Sequence, residues 1–166
     1  QFLILDTMNF WMDNNLEDLN EVISKVNLIS INDEEAYLLA KEKSLDSCAF
    51  KIIDKGPKYV IIKRGELGAD LYSRNEKFSL PSFRVKAIDP TGAGDSFAGG
   101  LAAYLSKTDF IDFNSLKKGL ILGTILASFT VESLGTKSLE KVYKEKILER
   151  LEIFVNKNKI DLNLSI

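Results

Sequence analysis

Strand-like and helix-like stretches alternate along nearly the whole chain, and that alternation limits the fold more than any other feature. Tyr59-Val60-Ile61-Ile62-Lys63 is a continuous apolar run, and Phe2-Leu3-Ile4-Leu5-Asp6 and Leu28-Ile29-Ser30-Ile31 repeat the pattern. Runs that are apolar at successive positions, rather than at every second one, suit strands buried on both faces, as in a parallel sheet. Helical spacing fills the intervals. Asn15 stands as an N-cap before Leu16, Leu19, Val22, Ile23 and Val26, with Glu17 and Asp18 in an acidic first turn. Residues 33–43 place Ala36, Leu39 and Ala40 on one face, and residues 47–55 read as another helix, stopped by Gly56-Pro57. The alternation predicts an α/β fold, with a mainly parallel sheet and helices on both faces.

After Lys63 the chain turns at Gly65 and Gly68 into residues 69–73, which alternate as a strand with one solvent face does. Residues 77–83 and 85–88 continue this β-rich middle. Three helices are expected beyond it, over about 95–106, 116–133 and 139–154, with Gly135 between the last two. Residues 156–166 turn from polar to apolar and read as a docked or frayed end.

Composition then removes whole classes of chemistry. The 166 residues include no His, and Cys48 is the single cysteine. Ser–His and Cys–His nucleophiles, His-containing zinc sites, Cys-cluster metal sites and internal disulfides are thereby excluded. Any reaction must run on carboxylates, lysines, hydroxyls and backbone amides. Lys and Arg number 22 against 24 Asp and Glu, and no basic run exceeds two residues, so no nucleic-acid partner is expected. No apolar stretch reaches the ~18 residues of a membrane span, and no signal-peptide pattern opens the chain. A cytoplasmic protein without a membrane partner is the expectation.

The chain opens with Gln1 inside an apolar run. We read it as the C-terminal part of a longer polypeptide; the alternative is a complete small domain with a trimmed start. A parallel sheet cut through its middle exposes an edge strand and an apolar face. These residues alone are therefore expected to be marginally stable until a further segment or partner covers that edge.

Asp89-Pro90-Thr91-Gly92-Ala93-Gly94-Asp95 separates the β-rich middle from a helix. Two glycines free the backbone for a tight turn, and amides in a first helical turn attract anions. A carboxylate in the same turn opposes simple anion binding. It makes sense if it accepts a proton from a hydroxyl attacking the anion. No Gly-Lys-Ser/Thr follows, so the turn is not a P-loop, and no acidic residue follows a second strand as in a dinucleotide fingerprint. Locally, a capped helix start explains the same residues, with Gly99-Gly100 serving helix packing.

The run from Asp89 to Leu101, Asp-Pro-Thr-Gly-Ala-Gly-Asp-Ser-Phe-Ala-Gly-Gly-Leu, closely resembles the C-terminal signature of the PfkB (ribokinase-like) carbohydrate and nucleoside kinases. The resemblance extends from Leu3 to about Phe154 and covers only the second half of the family's domain, without the part that supplies the lid and most sugar contacts. It implies a ribokinase-like fold and phosphoryl transfer from ATP to an alcohol group of a sugar or nucleoside. Asp95 is then the base, and the amides of Gly92, Ala93, Gly94 and Asp95 form the anion hole.

Asn32-Asp33-Glu34-Glu35 resembles the family's Asn-x-x-Glu motif, which implies that Asn32 and Glu35 lie near Mg²⁺ and the phosphates; the same two residues also read as a capping box. Lys63-Arg64-Gly65-Glu66-Leu67-Gly68 resembles the turn beside the nucleotide phosphates, with Lys63, Gly65 and Gly68 as candidate contacts, although Lys63 reads equally as an exposed strand end. Asp89 and Thr91 match positions that hold a monovalent cation such as K⁺ in some relatives, together with carbonyls from about residue 130 to 135. A hydroxyl seen after that loop in some relatives is replaced here by Leu139. The adenine pocket is expected around Gly123, Thr124, Ala127 and Ser128, small residues that suit helix packing as well. Lid exchange further implies a homodimer. The rival from another class is a ribokinase-like regulatory protein that binds nucleotide or sugar without transferring phosphate.

Overall fold

The computed structural model describes residues 1–160. It comprises two compact units, Gln1–Pro81 and a second from Ser82 onward.

The first unit is a five-stranded sheet whose strands lie in chain order: β1 (Ile4–Asp6), β2 (Leu28–Asn32), β3 (Tyr59–Lys63), β4 (Ala69–Tyr72) and β5 (Lys77–Leu80). β1, β2 and β3 are parallel, and β4 and β5 are antiparallel to their neighbours. The connections dictate this difference. Helices α1 (Asn9–Asn14) and α2 (Leu16–Ile23) carry the chain from β1 to β2, and α3 (Asp33–Ala40) and α4 (Leu45–Ile53) carry it from β2 to β3. A helical crossover returns the chain to the same end of the sheet, whereas a tight turn reverses it. β3 and β4 are joined by one 3₁₀ turn, Gly65–Leu67, and β4 and β5 by a turn closed by Ser73 N–H donating to the Glu76 carbonyl at 2.9 Å.

Ile29, Ile31, Val60, Ile62 and Tyr72 project from one sheet face into a core completed by Ile23, Ala36, Ala49 and Ile52 of the helices. Each such aliphatic side chain contributes about 1.5–3 kcal/mol on burial. Cys48 is packed in the same core, where burial pushes its thiol pKa up and leaves it inert.

The helix of residues 47–55 begins earlier than its spacing suggests, because Ser44 Oγ accepts from Ser47 N–H at 3.1 Å and caps Leu45 onward. α3 stops at Ala40, where Lys41 takes a left-handed conformation with φ 55°. α1 was not expected: Met12 is its one buried residue, so it carries no apolar period.

The second unit is helical: α5 (Ala93–Leu105), α6 (Phe113–Thr130) and α7 (Lys144–Asn158). α5 and α6 approach until their backbones touch at two glycines. A Cβ on Gly100 would stand 2.8 Å from Gly123 Cα, and one on Gly123 would stand 2.7 Å from the Phe97 carbonyl oxygen. α7 is fixed to α6 by Arg150. Its guanidinium stacks 3.6 Å from the Phe129 ring centroid and donates to Ser128 Oγ and Glu132 Oε2, both at 2.9 Å.

The second unit also departs from expectation. Residues 85–88 form no strand; the Ile88 and Asp89 amides donate instead to the Val131 carbonyl beyond the end of α6, at 2.7 and 3.2 Å. α6 starts at Phe113 because Asp112 and Ser115 cap each other reciprocally, each bond 2.8 Å long. The last helix starts at Lys144, after a separate 3₁₀ turn, Leu139–Lys141, and an extended Val142. The tail expected over residues 156–166 ends α7 and then passes outside the described residues. No helix among the described residues is long and apolar enough to cross a membrane.

Candidate functional site

In the first unit the candidate residues gather where β2 and β3 end. Asn32 closes β2 and caps α3: its Oδ1 accepts from Glu35 N–H at 2.7 Å, and Glu35 Oε2 accepts from Asn32 N–H at 2.8 Å. The capping box is therefore real. It still leaves the second oxygen of Glu35 and a further lone pair on Asn32 Oδ1 without a bond in that box. Glu35 is buried, and burial raises its carboxyl pKa above the ordinary value, against the opposing influence of the Asn32 amide and the Lys63 ammonium.

Lys63 lies directly across from Asn32 in the β2/β3 register. Its Nζ reaches 3.1 and 3.3 Å from the two carboxylate oxygens of Asp6 at the end of β1. The alternative reading of Lys63 as an exposed lysine at a strand end does not hold, because its side chain is half-buried in this pair. Gly65 and Gly68 bound the next turn with φ 54° and 102°, and Arg64 N–H donates to the Gly68 carbonyl at 2.7 Å to close it. Arg64 Nη2 also donates to Asp70 Oδ1 at 3.2 Å, tying the turn to β4.

In the second unit, Gly92 precedes α5 with φ 79°, a conformation that glycine adopts without strain. The Ala93 amide donates to the Pro90 carbonyl at 3.1 Å, so it is not free as the four-amide reading requires. The amides of Gly92, Gly94 and Asp95 have no protein partner among the described residues. Unpaired amides at a helix start, with the helix dipole behind them, favour an anion. The exposed Asp95 carboxylate lies in the same turn.

Asp89 Oδ1 accepts from Thr91 N–H at 3.0 Å, and the Thr91 amide and side chain together hold the Asp89 carboxyl below its ordinary pKa. The adenine expectation fares less well. Gly123 faces α5, which accounts for its missing side chain by packing. Thr124 Oγ1 donates to the Leu120 carbonyl at 2.9 Å, and Ser128 is turned toward Arg150. Of the four residues, Ala127 alone is partly open and without such a commitment.

Each unit thus assembles its own set: Asn32, Glu35, Lys63, Gly65 and Gly68 in the first, and Asp89, Thr91, residues 92–95, Gly123 and Ala127 in the second. Asp6 carries no sequence signal for this role: its bond to Lys63 spans 57 positions. Among the described residues, no three His, Cys, Asp or Glu side chains stand together to hold a metal ion. The Asn32 and Glu35 oxygens nonetheless fit a hard cation that keeps most of its waters, as Mg²⁺ does.

Comparison with known proteins agrees on one family. The pfkB family carbohydrate kinase description matches residues 4–142. A nucleoside kinase from Methanocaldococcus jannaschii is 34% identical over 140 residues, covering 82% of this chain and 42% of that protein. The crystal structure of a ribokinase from Thermotoga maritima superposes with a TM-score of 0.75 at 28% identity, over 91% of this chain and 49% of the other. An aminoimidazole riboside kinase from Salmonella enterica, in complex with its riboside and an ATP analog, shares the fold with a TM-score of 0.80 at 22% identity, over 90% and 52% of the two chains. The chain spans about half the length, or less, of the relatives it matches.

Proposed function

This chain belongs to the pfkB family of carbohydrate kinases and has their ribokinase-like α/β fold, and from that membership we propose that the protein transfers the γ-phosphate of ATP to an alcohol group of a sugar or nucleoside. The observation that carries this reading is the start of α5, where the exposed Asp95 carboxylate shares one turn with three unpaired amides. Such a turn serves both partners in the transfer. As the acceptor oxygen bonds to the γ-phosphorus, its proton passes to Asp95, and the bond from phosphorus to the leaving ADP oxygen breaks. The amides of Gly92, Gly94 and Asp95 offset the charge that spreads over the phosphoryl oxygens. The Ala93 amide holds the turn through Pro90 and stays out of the anion hole.

On the first unit, Asn32 and Glu35 would hold Mg²⁺ through its water shell, where the ion neutralises phosphate charge. Lys63, Gly65 and Gly68 form the nucleotide-phosphate side. A monovalent cation at Asp89 and Thr91 fits less well. Asp89 already accepts from Thr91, and the Val131 carbonyl of the expected cation loop already accepts from two amides.

The test is turnover of the full-length native protein against a panel of sugars and nucleosides, alongside Asp95→Asn. Turnover with one acceptor should fall ~10²-fold or more in the variant while ATP affinity stays nearly intact. Equal activity in the variant removes Asp95 as the base. ATP binding without turnover on any acceptor favours the regulatory rival instead.

A further inference from the structure

Lys63 is the last residue of β3, yet its ammonium does not end above its own strand. It pairs with both oxygens of Asp6 on β1, and β2 runs between the two. Adjacent strands are about 4.8 Å apart, so the link spans roughly 10 Å of sheet. Register places Asp6 beside Ser30 and Asn32 beside Lys63. Alternation puts these four side chains on one sheet face, opposite the face of Ile29 and Ile31 that builds the helical core. The lysine stem therefore crosses over β2. Ser30 is fully buried there, its Oγ without a partner, and Thr7 Oγ1 and Asn9 Oδ1, just past β1, are buried and unpartnered too. The Lys63 and Asp6 side chains are only 19% and 33% exposed, so their attraction is screened less than that of a surface pair.

We propose that Asp6 is a positioning residue, whose carboxylate draws the Lys63 ammonium across β2 and holds it at the sheet end that carries Asn32 and Glu35. The inference rests on the phosphotransferase reading, in which Lys63 meets a nucleotide phosphate. A lysine head has three N–H donors. Both Asp6 oxygens lie on one side of Nζ, so a single shared N–H can serve the pair, and donors remain for a phosphate oxygen without breaking it. An untethered lysine would lose the rotamer freedom of its four-carbon stem at each binding event. Asp6 removes most of that freedom beforehand.

A double-mutant cycle in the full-length protein tests this, with Asp6→Asn, Lys63→Met and both together. Asp6→Asn should raise KM and Kd for Mg·ATP by about 3- to 10-fold, with kcat changed less than about twofold. On the Lys63→Met background the same substitution should add less than about twofold, because it acts through Lys63. Asp6→Glu, which keeps the charge, should recover most of the affinity.

A second readout needs no turnover. Peptide-resolved acylation should label Lys63 several-fold faster in Asp6→Asn, while Lys77, paired with Asp46, stays unchanged as an internal reference. Equal losses on both backgrounds would overturn the proposal and assign Asp6 to direct contact with metal or substrate. So would unchanged affinity and labelling in Asp6→Asn. Wild-type protein that binds no nucleotide would overturn the phosphotransferase reading itself, and this inference with it.

Discussion

The two units present their candidate site residues in opposite ways. In the first, Asn32, Glu35 and Lys63 are side chains already bonded to protein: two lock each other in a capping box, and the third is clasped by Asp6. In the second, the offered groups are mostly backbone amides left unbonded at the start of α5, with an exposed carboxylate beside them. A pre-bonded side chain is held in place but must share its bonding capacity with a ligand. An unbonded amide offers its full capacity, and its aim depends on backbone geometry. The first arrangement suits a bound group that must stay put through the reaction, and the second suits charge that appears only in the transition state.

The sharpest way to break this contrast sets Asp95→Asn against Asn32→Ala in one protein. The first should cost ~10²-fold or more in turnover and leave the melting temperature nearly unmoved. The second should cost under ~10-fold in turnover and about 1 kcal/mol of stability, the usual loss for an N-cap. Equal turnover losses would mean that both units act in the chemical step, and the contrast would fail.

Next in size come the glycines behind the amides. Gly123→Val pushes a side chain into the Phe97 carbonyl, and chemical denaturation should show about 3 kcal/mol lost, with the start of α5 displaced. Gly99 on α5 faces open space, so Gly99→Ala should gain up to ~1 kcal/mol. A mild Gly123→Val would show that the seam between α5 and α6 yields, and that the amides are less firmly aimed than the contact suggests.

The smallest effect is a difference in acid response. Burial raises Glu35, so its proton is held more tightly in the fold. Its contribution to stability therefore falls as pH climbs from the ordinary 4.5 through the raised folded value. Asp112 is lowered, mainly by the Ser115 amide it accepts from. Its contribution is complete above the ordinary 3.8 and is lost as pH drops through the lowered folded value. Urea melts between pH 3 and 7 should show Glu35→Gln removing the first slope and Asp112→Asn the second. Slopes of the same sign would refute the assignment.

Legibility in the sequence followed the range of each interaction. β2 and β3 were visible because burial on both faces writes an unbroken apolar run, and the turn before α5 because its glycines and acid are contiguous. The Asp112 to Ser115 box is equally local, but its polar residues precede the apolar spacing that opens at Leu116, so that spacing alone starts the helix too late. Residues 85–88 misled because their apolar spacing fits a strand, whereas the Ile88 amide bonds to Val131, more than forty positions onward. The bond of Lys63 to Asp6 and the contact of Gly123 with Phe97 depend on tertiary placement, which no local pattern records.

The strand order of the first unit has a consequence for synthesis. Because β1 to β5 sit side by side in the order they are translated, each new strand finds its pairing partner already outside the ribosome. No strand has to wait for a later one to fill a gap, so the sheet can grow by addition at one moving edge. On that side, each strand from β1 to β4 is open to wrong partners only until the strand after it has been translated.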